Sequence, residues 1–585
     1  MKDTNKINSS ASSGHVIAKG DTDSAIARLS AYIPKEMKAR GIRGLSIAVA
    51  DASGTIWTSG FGWADGSGKR PFASTTISNI GSTSKLFTAT AIMRLVREGQ
   101  VDLDSPVYKY LPDFKPHDGG YDVSAVTVRL LLTHHSGLQS DNWMGFISGV
   151  KPPTGYPRPY MHNALLASET RLCAAPGTVF SYSNLGFSLL GLIVEQVSGK
   201  DFSSYVAETI LAPLGMDSSS FLIEERFRGR YARGKMGFKK NVAIPYIRDM
   251  PSGSFNSSAE DMGRFLTAVL ASADGLENGP LTGATQREMW RRQNSGVALD
   301  FDFSIGLGWW LMEIPFLPNE RVVGHGGDLD PFHSLLIVDP ARSLGVFMMV
   351  NSAKGLGSFS LGGIAAEALR AFGEVKGGPS FASPLAAPRP APLPTDLASR
   401  LIGNYATPMG LVRVRGKRSV LAILVFGRWL EGYYRTDGSI GLRAKMLGIE
   451  LPISVLKEIS ITPESLGDQT VLALRASGVI LGIGRKVEAE TPRPAWLARV
   501  GMWVRTEAEP APMLKGAAIS FDRSMGVFLL SLKMQMPSTF LLRVISDDEA
   551  ITSGSGRNLG SAIRVAPEGG IEILKVFGVK FRKKK

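Results

Sequence analysis

The chain has 585 residues, of which 44% are hydrophobic and 20% are charged, as is typical of a soluble globular protein that divides into two or three domains. Its single cysteine, Cys173, excludes an intramolecular disulfide, and no apolar run approaches the roughly 18 residues that a membrane-spanning helix needs. The net charge of +14 is scattered except at the end of the chain, which favours a solvated basic surface over a nucleic-acid site.

The first elements are a tail, a helix and a hairpin. Residues 1–20 are rich in serine, asparagine and lysine and contain no apolar core, so we expect a disordered tail and no secretory signal. This favours a cytoplasmic location, with a periplasmic one as the alternative. Residues 24–40 carry apolar side chains at helical spacing, and the runs Gly44–Ala50 and Gly54–Gly62 predict an antiparallel hairpin.

The next predicted helix carries the first candidate for chemistry. Apolar residues recur at helical spacing from Leu86 to Glu98, directly after Ser82 and Lys85. Residues three apart share one face of a helix, so the serine hydroxyl and the lysine amine can meet there. A serine in the first turn also lies near free backbone N–H groups, which can stabilise an oxyanion.

The S-x-x-K spacing is weak evidence by itself, because it arises by chance in a chain of this length. It occurs again at Ser148 and Lys151, which run into two prolines, and at Ser454 and Lys457, in a late strand-like region. Ser82 gains weight from the motifs that follow it.

A pair of adjacent histidines, His134 and His135, lies within a helix predicted at 126–138 and ending at Gly137. Neighbouring helix residues point about 100° apart, and no cysteine or carboxylate stands at ligand spacing, so we expect structural roles rather than a metal site. Residues 139–170 are loop-like; they either wall a substrate cleft or form a long surface excursion.

Tyr182 and Asn184 form the second motif, in a turn that enters a helix predicted at 187–197. The spacing Tyr-x-Asn occurs once in the chain. The alternative interpretation is a core tyrosine beside an asparagine that caps the helix.

His325, Gly326, Gly327 and Asp328 form the third motif, which precedes two strand-like runs separated by a turn. The absence of side chains at the glycines would allow a ligand backbone to approach the strand edge closely. A β-bulge is the alternative.

The chain changes character after a proline-rich stretch, beyond which short β-type runs dominate. Residues 402–407 resemble residues 500–506, and each set follows a Pro-Arg-Pro triplet, which suggests two small antiparallel barrels. The predicted units are a tail at 1–20, a first domain at 21–375, a linker at 376–396, and β-rich domains at 397–490 and 491–585.

In this order, the three motifs resemble those of the serine β-lactamase and penicillin-binding-protein superfamily, and most closely the class C type with its family S12 peptidases and esterases. A class A enzyme would show Ser-Asp-Asn and Lys-Thr-Gly instead. The resemblance extends over roughly residues 25–372. It implies an α+β fold, in which an antiparallel sheet flanked by helices is joined by a helical subdomain, followed here by the all-β region.

The resemblance also implies roles. Ser82 matches the nucleophile and Lys85 its proton-sharing partner, while Tyr182 matches the general base and acid. Asn184 matches the residue that orients substrate and lysine, and the amides of Ser82 and Asp328 match the oxyanion hole. A serine hydroxyl needs an adjacent base, and nearby cations with partial burial were expected to favour a neutral lysine and a tyrosine phenolate.

His325 stands where lactamases have lysine, which removes a permanent charge that would hold a β-lactam carboxylate. The resemblance therefore implies an acyl-enzyme peptidase or amidase with no cofactor or metal. Its substrates would be small, D-amino-acid-containing or modified peptides, such as linearised cyclic peptides of the microcystin kind. A carboxylesterase, a β-lactamase and a non-catalytic ligand-binding scaffold remain alternatives. Asp328 either attracts a substrate amine or faces away from the site.

Overall fold

The fold is seen in a computed structural model. It describes residues 16–141, 147–148, 170–237, 239–276, 281–313, 321–352, 357–377, 388–417, 420–425, 427–446, 449–451, 453, 456, 459–476, 479–506, 514–533 and 538–584. The S-x-x-K lysines at 151 and 457, most of the loop predicted at 139–170 and the middle of the predicted linker lie outside these residues.

A seven-stranded antiparallel sheet forms the centre of the first domain. Its strands, in spatial order, are Gly54–Gly62, Gly44–Asp51, Leu344–Val350, Phe332–Asp339, Arg321–Leu329, Trp310–Glu313 and Ser304–Ile305. The hairpin predicted at the start of the chain is therefore confirmed. The central strands are buried along their whole length, because helices cover both faces of the sheet.

Helices occupy two layers and a subdomain. Thr22–Arg40 and Gly362–Val375 pack on one face of the sheet, and Ala259–Ala273 packs on the other. The remaining α-helices of the first domain are Ser84–Arg97, Val128–Leu132, Asn184–Ser198, Phe202–Val206, Met250–Gly253 and Gly283–Met289, with a π-helical turn at Ala207–Leu211. Short paired strands lie at Ser78–Asn79, Ile147–Ser148, Gly234–Met236, Lys239–Val242, Tyr246–Ile247 and Asn256–Ser257.

Two sequence expectations need correction. The helix expected at 126–138 is confined to Val128–Leu132, because His134 adopts a left-handed backbone with φ of 59° that ends the helical path. Residues 16–20 fall within the predicted tail, yet the Ile17 side chain is buried against the sheet-covering helices and its amide donates to Glu374. Residues 1–15 lie outside the part of the chain that the structure describes.

The all-β region consists of two closed barrels of eight strands each, which confirms the fold class. The first contains Gly403–Thr407, Gly410–Lys417, Val420–Val425, Arg428–Tyr434, Ile440–Arg443, Ile459–Leu466, Gln469–Ala476 and Val479–Lys486. The second contains Gly501–Arg505, Gly516–Asp522, Val527–Lys533, Ser538–Val544, Glu549–Thr552, Ala562–Glu568, Ile571–Val576 and Val579–Lys583. A two-stranded ribbon, Lys445–Met446 with Ile449–Glu450, lies beside the first barrel.

The internal repeat marks equivalent positions in the barrels. A short helix precedes each barrel, at Thr395–Leu401 and Pro494–Ala498. Tyr405 and Trp503 are both fully buried in the first strands. Each donates to a carbonyl four residues earlier, at 2.9 Å for the tyrosine hydroxyl and 3.1 Å for the indole. Clusters of apolar side chains occupy both barrels, as expected for eight strands.

Ion pairs join the barrels to the first domain. Arg475 of the first barrel contacts Asp302 at 2.9 Å, and Glu549 of the second barrel accepts from Arg171 at 3.0 Å. Both barrels therefore pack directly on the domain that carries the three motifs. Within the described residues, no helix is both long enough and apolar enough to cross a bilayer.

Candidate active site

Ser82 lies in a single turn of 3₁₀-helix, Gly81–Thr83, that leads into the helix Ser84–Arg97. Gly81 has φ of 53°, and a Cβ there would lie 2.6 Å from the Asp328 amide nitrogen. The helix start therefore packs directly on the strand that carries the third motif. This contact brings the backbone next to Ser82 to the Asp328 amide, as the predicted oxyanion hole requires.

Lys85 is completely buried and has three polar partners. Its Nζ lies 3.1 Å from Ser82 Oγ, 2.7 Å from Asn184 Oδ1 and 2.5 Å from the Ser252 carbonyl oxygen. A neutral amine has two N–H donors and one lone pair. The two carbonyl-type oxygens can accept the two N–H groups, which leaves the lone pair for the Ser82 hydroxyl.

The direction of the pKa shift of Lys85 agrees with a neutral amine in this arrangement. Burial lowers its pKa well below the ordinary value of 10.5, and this outweighs the opposing effect of Asp141; Arg557 lowers the pKa further. Removing a charged ammonium from water is costly unless a carboxylate pairs with it directly. Lys85 is therefore suited to accept the Ser82 proton.

Tyr182 lies just before the helix Asn184–Ser198, and its ring covers the Lys85 amine at 4.9 Å. Burial raises the pKa of Tyr182, and this outweighs the hydrogen bond with Ser82 and the charge of Arg557, which both lower it. This corrects the expected phenolate. Burial disfavours charge on both side chains and so favours a neutral amine at Lys85 and a neutral phenol at Tyr182.

Asn184 is oriented by an acid that the motifs did not identify. Its Nδ2 donates to Asp141 Oδ1 at 2.7 Å, which directs Oδ1 towards Lys85. Asp141 also accepts from the Ser140 hydroxyl at 2.5 Å. The helix is capped by Ser183 rather than by Asn184, because the Ser183 hydroxyl accepts from the Gly186 amide.

The adjacent histidines support the site from behind, in the structural roles expected. The His134 ring packs on the Tyr182 ring at 4.2 Å, and its Nδ1 accepts from the Ser183 amide at 3.1 Å. His135 bonds to the buried Asp300 at 2.7 Å, and Asp300 also accepts from the Phe180 amide. Together they fix the segment that delivers Tyr182.

His325 reaches the site from the strand Arg321–Leu329. It is 1% exposed, and its ring lies 6.3 Å from the Tyr182 ring and 5.3 Å from the Trp310 ring. Nδ1 contacts the Gly326 carbonyl oxygen at 2.6 Å, while Nε2 has no hydrogen-bond partner among the described residues. Burial and the nearby Lys85 lower the pKa of His325 to about 3, so the imidazole is neutral and Nε2 is an acceptor.

The glycines after His325 are required by the protein itself, which differs from the predicted reason. A Cβ on Gly327 would lie 1.8 Å from the Ile80 carbonyl oxygen, and one on Gly326 would lie 2.6 Å from Ser358 Oγ. The close approach is therefore that of neighbouring chain segments. Gly327 lets the segment before the helix start approach this strand, and Gly326 lets Ser358 approach it.

The Asp328 side chain is held away from the nucleophile. Its oxygens accept from the Ser358 amide and hydroxyl at 2.7 and 2.8 Å, and Oδ1 contacts His333 Nδ1 at 2.7 Å. These contacts account for both carboxylate oxygens, and attraction of a substrate amine by Asp328 stays a prediction. The Asp328 backbone amide remains at the strand edge beside Gly81.

Four features of the site were not found by motif. These are Asp141, the Ser252 carbonyl, the Trp310 ring and Arg557. Asp141 follows the segment 132–138 closely and could have been suspected from that position. Arg557 is a lone cation in a glycine- and serine-rich stretch, a composition that carries no functional signal by itself.

No group of three or more histidine, cysteine, aspartate or glutamate side chains that could hold a metal is present among the described residues. Burial raises the pKa of Cys173 to about 11, which keeps the sulfur in its unreactive thiol form.

Comparison with known proteins agrees with the geometry. The family model described as Beta-lactamase matches residues 29–369. The chain belongs to the β-lactamase family. This confirms the superfamily resemblance and places all three motifs inside the matched segment.

Similar proteins include Protein flp and an esterase. Protein flp of Staphylococcus aureus is 25% identical over 337 residues, covering 56% of this chain and 64% of that protein. Esterase EstB of Burkholderia gladioli is 27% identical over 377 residues, covering 57% of this chain and 92% of EstB. The chain thus spans slightly less than two thirds of flp.

Two solved structures share the fold over a longer stretch. The octameric penicillin-binding protein homologue from Pyrococcus abyssi covers 79% of this chain and 100% of its own, with a TM-score of 0.51 and 24% identity. SurE covers 80% of this chain and 100% of its own, with a TM-score of 0.55 and 22% identity. Family membership and these likenesses show a β-lactamase-type fold for the motif-bearing domain.

Proposed function

We propose that this β-lactamase-family protein is a serine hydrolase that acts through an acyl-enzyme on amide bonds of small peptides, including D-amino-acid-containing or modified ones. The contact between the Lys85 amine and Ser82 Oγ carries this proposal. A neutral lysine held by two acceptors is a base next to a weak nucleophile, which is the arrangement that serine acylation needs.

The reaction follows from the positions of these groups. Lys85 accepts the hydroxyl proton as Ser82 Oγ attacks the substrate carbonyl, and the Ser82 and Asp328 amides stabilise the oxyanion. Tyr182, a neutral phenol hydrogen-bonded to Ser82, then donates its proton to the leaving amine and recovers one from Lys85. Water attacks the acyl-enzyme by the reverse proton path, which regenerates Ser82.

The charge at position 325 bears on which substrate is preferred. A β-lactamase of this kind would place a lysine cation where this chain has His325, and the low pKa of His325 keeps it uncharged. An ester remains a second candidate substrate, because EstB is 27% identical over nearly its whole length. Peptides, esters and β-lactams can be compared in one experiment.

The test is intact-mass spectrometry of the full chain, together with product analysis. The protein is mixed in turn with D- and L-alanyl p-nitroanilides, p-nitrophenyl butyrate and a penicillin. Turnover of an anilide, with an acyl adduct trapped on the tryptic peptide that contains Ser82, is the expected result. Adducts with the ester alone favour an esterase, and the absence of both turnover and adduct with every class contradicts a hydrolase.

His325 provides a prediction at the same site. We expect His325→Ala to lose roughly 10²-fold in kcat/KM, because it removes the hydrogen-bond acceptor Nε2 beside Tyr182, whereas His325→Gln should retain part of the rate. We expect His325→Lys to weaken turnover of uncharged substrates and to improve acylation by penicillin. Steady-state kinetics on the three variants provide the measurement.

The pH dependence of the same variants refines the expected role. Because the pKa of His325 is about 3, its protonation cannot shape the rate between pH 5 and 8. We therefore expect the rate of His325→Gln to depend on pH in this range as the rate of the parent protein does. A change in this dependence would show that the histidine titrates during the reaction, and unchanged rates in all three variants would show that it is only structural.

A further inference from the structure

Arg557 of the second barrel contacts residues of the candidate active site in the first domain. Its guanidinium carbon lies 5.0 Å from the centre of the Tyr182 ring, and its Nε donates to Ser140 Oγ at 3.1 Å. A guanidinium over an aromatic face is held there by attraction to the ring. The residue therefore shares its surroundings with the proposed general acid.

The position of Arg557 is fixed by its loop, which joins the strands Glu549–Thr552 and Ala562–Glu568. Leu559 is buried in the barrel core, and the Thr552 hydroxyl bonds to the Asn558 carbonyl at 2.8 Å. Gly560 packs so closely on the Cys173 carbonyl that a Cβ would lie 2.4 Å from its oxygen. The loop is thus anchored on both sides, and little ordering is needed before Arg557 can bind a ligand.

Groups of the protein satisfy only some of the hydrogen-bond donors of the Arg557 guanidinium. Asp141 lies 3.5 Å from Nη2, a long contact, and that carboxylate already accepts short hydrogen bonds from Asn184 and Ser140. None of the described residues accepts a hydrogen bond from Nη1. The Arg557 side chain is 44% exposed, so it is accessible to a ligand from solvent.

The positive charge of Arg557 indicates which kind of ligand could bind to it. Arg557 carries a permanent positive charge. It is the one such residue among the described residues that contact the site residues, which are Ser82, Lys85, Tyr182, Asn184 and His325. Burial disfavours a positive charge on both Lys85 and His325. A substrate carboxylate in the site would therefore lie near one cation. A guanidinium can bind a carboxylate through two parallel hydrogen bonds, that is, in bidentate geometry.

We propose that Arg557 binds a carboxylate of the substrate beside Tyr182, so that a side chain of the second barrel favours ligands with a free carboxylate over the matching uncharged amides in the first domain. The inference rests on the proposed function, since it names a substrate group for the same site. Arg557 would then replace, from a different domain, the carboxylate-holding cation that position 325 lacks.

The test measures binding and needs no turnover. In the Ser82→Ala protein, calorimetry compares N-acetylalanine with N-acetylalaninamide, each in the D- and L-form. We expect the carboxylate of at least one form to bind about 10- to 100-fold more tightly than the matching amide, as charge-assisted hydrogen bonds imply. Adding Arg557→Gln should abolish this ratio, and Arg557→Lys should retain part of it.

Arg564→Gln is the matched control, because it removes the same charge from the same barrel. Arg564 pairs with Glu549 at 3.0 Å and does not contact the site, so the ratio should persist in that variant. The proposal is wrong if the parent protein shows no preference for the carboxylate, or if the preference survives in a folded Arg557→Gln protein. In the latter case Arg557 only joins the barrel to Asp141. Failure of the hydrolase itself would appear separately, in the mass experiment.

Discussion

Replacing Ser82 with alanine is expected to lower turnover of every substrate by at least about 10⁴-fold and to abolish covalent labelling by acyl-serine reagents. Ser82 Oγ is the hydroxyl that the Lys85 amine contacts, at 3.1 Å, and the Tyr182 hydroxyl bonds to it as well. Loss of one oxygen should leave the fold intact, because Ser82 is half-buried at the helix start. Intact-mass spectrometry and steady-state kinetics provide the measurements.

Ser454→Ala is the matched control for this substitution. Ser454 has the same S-x-x-K spacing to Lys457, so it tests whether the spacing alone confers reactivity. We expect that variant to retain full labelling and turnover. Normal activity in Ser82→Ala would remove the nucleophile assignment and the proposed reaction with it.

The second large effect is expected at Lys85. Lys85→Met should lower kcat/KM by about 10²- to 10⁴-fold, the range found for loss of a general base. In the parent protein, the rate should fall as pH drops through the lowered pKa of Lys85, because the protonated amine cannot accept the Ser82 proton. The residual rate of Lys85→Met should not show this decrease at low pH. Lys69 is exposed, so Lys69→Met serves as a control.

The same pKa shift predicts how stability depends on pH. Between the lowered pKa of Lys85 in the folded protein and its ordinary value of 10.5, the unfolded chain binds a proton that the folded protein does not. The free energy of unfolding therefore gains a contribution that rises with pH in this window. Chemical denaturation across the window should show a shallower rise in Lys85→Met than in Lys69→Met; equal slopes would mean that the buried amine is charged.

The sequence by itself determined the local constellations. Ser82 and Lys85 are three residues apart, so helix geometry alone brings them together. Tyr182 and Asn184 are two residues apart, so one turn of the chain carries both. The equivalence of Tyr405 and Trp503 could also be recognised, because the residues around them repeat. Such signals survive in sequence since they depend on neighbours along the chain.

The protonation states could not be predicted in the same way. The sequence suggested a phenolate at Tyr182, because it shows which charges are present but not how much water surrounds them. Packing of His134, Lys85 and Trp310 around the Tyr182 ring excludes water. Burial then raises the pKa of Tyr182 and lowers that of Lys85, so both side chains are neutral.

Only the tertiary structure decided which distant residues join the motifs. Ser140 and Arg557 are 417 positions apart, yet they are hydrogen-bonded, because the second barrel packs against the first domain. The need for glycine at position 327 likewise comes from the Ile80 carbonyl, which belongs to another element. Periodicity and spacing describe one element at a time, whereas contacts between elements depend on how whole surfaces pack, and no local pattern encodes that.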